Sequence, residues 1–126
     1  MKNELIEKNQ IVKLTFEFAL NIIEYCEVLE GKRKFVLANQ LLKSGTSIGA
    51  NVWEAQNAES KNDFVHKFKI AAKESEETGF WLLLCKHSKN YPDSSNLLAK
   101  LNSVSKIINK IIATSKINNA NNQLSN

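Results

Sequence analysis

The sequence predicts an all-α fold, an antiparallel up-down-up-down four-helix bundle, and three observations carry that prediction. Apolar residues recur three and four positions apart through four long segments. One proline and four glycines in 126 residues leave few positions that interrupt a helix. The segments are joined by short polar connections, which lay consecutive helices side by side and antiparallel with their seams on a common core. The length is that of one domain. The bundle is expected over residues 1–117, and the asparagine-rich, uncapped tail 118–126 is expected to be disordered.

The first helix is expected from about Asn3 to Glu30, ending before Gly31. One seam runs through Leu5, Val12, Phe16, Ala19, Ile23 and Cys26, and a second through Ile11, Phe18, Ile22, Tyr25 and Leu29. Two adjacent stripes make the apolar surface wider than a contact with one helix requires. The helix is therefore either deeply buried or part of a subunit interface, and Phe18, Ile22, Tyr25, Trp53 and Trp81 are the candidate interface residues.

After Lys32, Arg33 and Lys34, a second helix from about Phe35 to Ala58 carries Ala38, Leu41, Gly45, Ile48, Val52 and Ala55 at helical spacing. Its middle, LLKSGTSIGAN, runs against propensity, because a glycine costs roughly 1 kcal/mol relative to alanine inside a helix. A turn is the alternative there. The helical reading rests on small residues admitting a neighbouring backbone and on hydroxyls that bond back to the preceding turn. Ser60 and Asp63 have the spacing of a capping box, so a third helix starts near Lys61 and runs to about Lys89, closed by Tyr91-Pro92. Asp93 or Ser94 then caps a fourth helix with a seam of Leu97, Leu101, Val104, Ile108 and Ile111.

Charge is unevenly distributed. Net charge is +4, yet residues 1–30 hold six glutamates against three lysines, so the later helices carry the basic excess. This polarity suits head-to-tail packing of identical subunits or a basic face for nucleic acid, and equally a set of solvated helix faces. A second polar feature is a stripe on helix three, Asp63, Lys67, Glu74 and Glu77. Turned inward, it would pair with Lys43, Ser44, Ser47 or Glu54 of helix two, since a buried charge needs a partner. Turned outward, it dissolves a helix face.

Catalytic chemistry finds little support. A di-metal site in a bundle needs Glu-x-x-His on two helices, whereas an acidic residue precedes a histidine by three positions only at Asp63 and His66. No metal or other cofactor is expected. Nucleophile elbow and glycine-rich phosphate loop are both missing, so no enzymatic activity is expected either. Cys26 and Cys85 lie alone in apolar helical stretches and read as reduced core residues. With neither an apolar signal core in MKNELIEKNQ nor a run of about eighteen apolar residues, export and membrane spanning are not expected and a cytoplasmic location is.

The stretch LLKSGTSIGANVWEAQNAESKNDFVHKFKIAAKESEETGFWLLL resembles the signature of the bacterial four-helix-bundle family encoded in intervening sequences of 23S ribosomal RNA genes, also labelled S23. The family pattern falls on Lys43, Ser44, Ser47, Gly49, Glu54, Ala55, Asp63, Phe64, Lys67, Ile70, Ala71, Glu74, Glu77 and Thr78. Two departures stand out: Lys43 where arginine is common, losing the bidentate fork, and Gly79-Phe80-Trp81 where tyrosine-tryptophan is usual. The resemblance implies a homo-oligomer, often a pentameric ring, without established enzymatic activity. It also implies kinship in fold with the basic accessory protein of diversity-generating retroelements, which binds a reverse transcriptase and nucleic acid. RNA association would draw on a basic surface of Lys32, Arg33, Lys34, Lys100, Lys106 and Lys110. The alternative is a structural oligomer or scaffold for a protein partner.

Overall fold

The computed structural model describes the backbone of residues 2–124 and the side chains of residues 4–118. The described residues form five helices: α1 (Lys2–Lys8), α2 (Gln10–Gly31), α3 (Phe35–Ala55), α4 (Lys61–His87) and α5 (Ser95–Leu124). Among the described residues there is no strand. The expected first helix is thus two. Asn9 takes an extended backbone conformation and its side chain accepts the amide of Val12, an N-cap that starts α2 afresh. Its amide nitrogen also donates to Gln56 Oε1 at 3.1 Å, tying this joint to the connection between α3 and α4. At the other end, α5 carries helical backbone through Leu124, past the expected boundary at residue 117, while 125 and 126 lie outside the described residues.

Pairwise contacts define the topology. Thr15 lies against Gly49, Ile22 against Gly45, and Cys26 Sγ donates to the Ala38 carbonyl, so a step forward along α2 is a step back along α3. The same reversal relates α4 to α5 through Ser75 with Ser105, Gly79 with Leu101 and Leu82 with Ser94. It also relates α2 to α5 through Asn21 with Lys100 and Tyr25 with Pro92. Each long helix packs on its chain neighbour, and α2 closes on α5, leaving α2 and α4 diagonal across the core. This is a four-helix bundle.

Helix α3 is continuous through LLKSGTSIGAN. Its hydroxyls turn back on their own helix: Thr46 Oγ1 donates to the Leu42 carbonyl and Ser47 Oγ to that of Lys43, both at 2.6 Å. Gly45 and Gly49 admit α2, since a Cβ on Gly45 would stand 2.9 Å from Ile22 Cγ1 and Cγ2. The seam expected on α3 is wholly buried.

On α2 the two stripes separate. Ile11, Phe18, Ile22, Tyr25 and Leu29 enter the core, joined by Val12 and Cys26, whereas Phe16 and Ile23 face outward at 41% and 38% exposure. Phe18 and Ile22, candidates for the subunit interface, are therefore core residues of the single chain, at 2% and 0% exposure, and Tyr25 is buried with them. They have no surface left to offer a partner.

Cys26 and Cys85 are buried free thiols. Burial pushes the Cys26 thiol up to about 12 and also raises Cys85 and the Tyr25 phenol, whose Oη donates to the Pro92 carbonyl at 2.7 Å. These groups keep their protons in the folded chain at a pH where the unfolded chain loses its own, from about 8.5 for a thiol. Their contribution is thus complete below that pH and declines as pH rises toward 12. The urea midpoint should be level from pH 7 to 8 and fall by pH 10.5, with a shallower fall in Cys26→Ala; a midpoint that holds to pH 10.5 would contradict this.

Candidate nucleic-acid interface

Two loops build one end of the bundle. Residues 32–34 join α2 to α3, and residues 88–94 join α4 to α5. The first is a Schellman turn: the Arg33 amide donates to the Glu30 carbonyl and the Lys34 amide to that of Leu29, at 2.9 and 2.8 Å. The left-handed residue of this turn is Arg33, with φ 64°, while Gly31 remains helical. Asn90 in the second loop takes φ 66°. The loops touch, since Lys34 Nζ sits 4.9 Å from the centre of the Tyr91 ring, a cation–π contact. Ser94 Oγ donates to the Leu82 carbonyl at 2.7 Å, pinning the second loop to α4. Asp93 caps α5 instead, accepting the Ser95 amide and hydroxyl; those bonds, helped by nearby Lys86, hold its carboxyl below the usual range.

The fold thereby places the loop of Lys32, Arg33 and Lys34 at the same end of the bundle as Lys86, His87 and Lys89, residues that sequence reasoning left out, with the two segments meeting at Lys34 and Tyr91. Nothing in the local pattern signals the meeting, because the two loops are separated by the whole of α3 and α4. The remaining basic candidates do not join this cluster. Lys100 donates to Asn21 Oδ1 at 2.9 Å on the α2–α5 seam, and Lys106 and Lys110, one turn apart and exposed, lie farther along α5.

The polar stripe is divided by the fold. Ser44 is fully buried with its Oγ 3.0 Å from Thr78 Oγ1, whose single proton is shared between Ser44 and the closer Glu74 carbonyl at 2.7 Å; this hydroxyl pair is the buried polar contact between α3 and α4. None of the stripe's charged members is buried. Lys43, Glu54 and Glu77 are exposed and Lys67, Glu74 and Asp63 half-buried, as is Ser47, so inward pairing of charges is not what joins these helices. Asp63 completes the start of α4: its amide donates to Ser60 Oγ at 3.0 Å, and its carboxylate accepts the amide of Glu59, one residue before the partner of a standard capping box. Glu77 accepts from the Trp81 indole at 3.1 Å. Partial burial, with Glu77 close by, raises the pKa of Glu74, and Lys43 opposes the rise.

Two apolar faces remain uncovered. Along the α2–α3 seam, Phe16, Ala19, Ala50 and Trp53 line a shallow hollow floored by Thr15, Thr46 and Gly49, with Leu20 and Ile23 nearby on α2. On α4, Phe80, Leu83 and Leu84 are exposed, Phe80 meeting Trp81 edge to face at 5.2 Å. Trp53 and Trp81 are half-buried. Among the described residues no three of His, Cys, Asp and Glu gather where a metal ion would sit, and no helix is long and apolar enough to cross a membrane.

These features define a helical-bundle protein with a basic end, buried hydroxyl contacts and two open apolar faces. The chain belongs to the 23S rRNA-intervening sequence protein family, whose model matches residues 7–110. It is similar in structure to a protein of unknown function from the S23 ribosomal protein family of Bacteroides thetaiotaomicron: TM-score 0.77 and 35% identity, with 81% of this chain and 97% of that one covered. Among curated proteins none matches.

Proposed function

We propose that this chain is a non-enzymatic, self-assembling bundle that associates with RNA through a basic surface in the cytoplasm. The observation that carries the reading is the contact of the Lys32, Arg33 and Lys34 loop with the α4–α5 connection, which puts Lys86 at the end of α4 and Lys89 at the same end of the bundle. Lys32, Arg33, Lys86 and Lys89 are exposed there and can neutralise phosphates, a mode that needs little sequence reading. Membership of a family named for ribosomal RNA intervening sequences agrees with it.

Self-assembly is supported by the uncovered apolar faces. Because α2 and α4 are diagonal, the face at Phe16 and Trp53 and the face at Phe80 and Leu84 belong to different sides of the bundle. A contact between unlike faces is heterologous and closes into a ring when the rotation allows. A homopentameric ring would repeat the basic end around its axis and raise the local positive potential. The same faces favour the second reading, a scaffold for a protein partner with no nucleic-acid role.

Sedimentation of the chain with a fluorescently labelled, structured ribosomal RNA fragment, from low to physiological salt, tests both parts. The expected result is an assembly heavier than one chain that binds RNA at low salt and releases it steeply as salt rises. Failure to bind at low salt, with the assembly intact, would move the assignment to the protein scaffold.

A further inference from the structure

Resting on that reading, we infer that the RNA phosphate backbone is held at the composite end of the bundle, by Lys32, Arg33 and Lys34 together with Lys86 and Lys89, and not along the lysines of α5. The end carries five lysine and arginine side chains against two carboxylates, Glu30 and Asp93, a surplus of three in a chain whose net charge is +4. Asp93, which accepts both the amide and the hydroxyl of Ser95, keeps its negative charge near Lys86 and is already counted in that surplus.

The cations are also positioned, not merely numerous. Lys34 is held over the Tyr91 ring, which joins the basic α2–α3 loop to the α4–α5 connection that carries Lys89. The Tyr25 bond to Pro92 and the Ser94 bond to Leu82 fix the second loop from beneath, so neither loop is free to carry its charges away. Arg33 occupies a left-handed turn position where glycine is the less strained choice. A charged side chain thus stands at the tip of the turn despite the backbone strain of the left-handed region. Lys106 and Lys110 differ in kind: they project from an exposed helix face of α5, where the neighbouring Lys73 of α4 lines a shallow hollow together with the carboxylate of Glu76.

Phosphate contacts are counted by the salt dependence of binding, because each contact releases condensed counterions. The test compares two charge-matched variants, Lys86→Ala with Lys89→Ala and Lys106→Ala with Lys110→Ala, against the unaltered chain on the same labelled ribosomal RNA fragment. All four positions are exposed, and thermal unfolding checks that both variants keep their fold. The first pair should weaken binding and make the slope of log K against log salt shallower by about 1.5, while the second leaves it unchanged. Arg33→Gly should unfold at a higher temperature yet bind RNA more weakly, a combination that a purely structural arginine would not produce. Equal slopes for the two pairs, or a loss confined to the α5 pair, would overturn the composite site while leaving RNA association standing. Absence of binding by the unaltered chain at low salt would overturn the site and the RNA reading together.

Discussion

Phe18→Ala should destabilise the chain by about 3–5 kcal/mol in urea unfolding, the loss expected when a fully enclosed aromatic ring is removed and its cavity only partly refills. The side chain is 2% exposed, on a helix that packs on α3 and closes on α5. The cost belongs to the folded single chain and should not depend on protein concentration beyond what self-association itself adds. Phe16→Ala, two residues away, supplies the contrast. Its ring is 41% exposed beside Trp53, so it should cost well under half as much in stability, and its effect should appear in the mass of any assembly. Similar losses for the two variants, or a Phe18→Ala loss near zero, would mean that α2 is rotated differently from the arrangement described here.

Gly45→Ala should lower stability by up to about 2 kcal/mol, although alanine is the better helix former by roughly 1 kcal/mol. The added methyl would stand 2.9 Å from both Cγ atoms of Ile22, a fully buried β-branched side chain with little room to turn. Overpacking of this kind costs about 1–3 kcal/mol and outweighs the gain in propensity. Ile22→Ala alone should cost about 2–5 kcal/mol through its cavity. In that background Gly45→Ala should become neutral or stabilising, because the two clashing atoms are gone and the methyl fills part of the space. The double-mutant cycle therefore reads the contact directly. Additive losses would rule out the close approach of α2 and α3 at this level.

The helices were legible wherever one apolar stripe was flanked by polar residues. On α3 and α5 the seam has one solution, and Ala38, Leu41, Gly45, Ile48 and Val52 lie in the core as their spacing requires, as do Leu97, Leu101, Val104 and Ile108, while Ile111 at the end of the α5 seam is only half-buried. On α2 two stripes of similar hydrophobicity compete. Spacing shows that both are helical but not which one turns inward, since rotation about the helix axis depends on what the neighbours offer. The glycines of α3 decide it by accepting Thr15 and Ile22. Burial of hydroxyls was hidden for a related reason. Thr15, Ser44 and Thr78 satisfy themselves within their own helices or with each other, so they enter the core at little cost, yet by composition they read as surface.

The candidate site divides along the same line. Its first half, Lys32 to Lys34, is a continuous run visible in the chain, and the helix end just before it was marked by Gly31, although Arg33 takes the left-handed position. Its second half is visible only once α3 and α4 have folded back.

The sequence by itself determined that this chain is helical, roughly where the long helices stop, and which family it belongs to, because periodicity, capping and motif spacing are local properties. The tertiary structure alone decided which face of α2 is core, that Ser44 and Thr78 form the buried polar contact, and that the basic α2–α3 loop shares one end with Lys86 and Lys89. Those outcomes depend on how helices rotate and pair to exclude water from a common interior, a condition set by all four long helices together and written in no single segment.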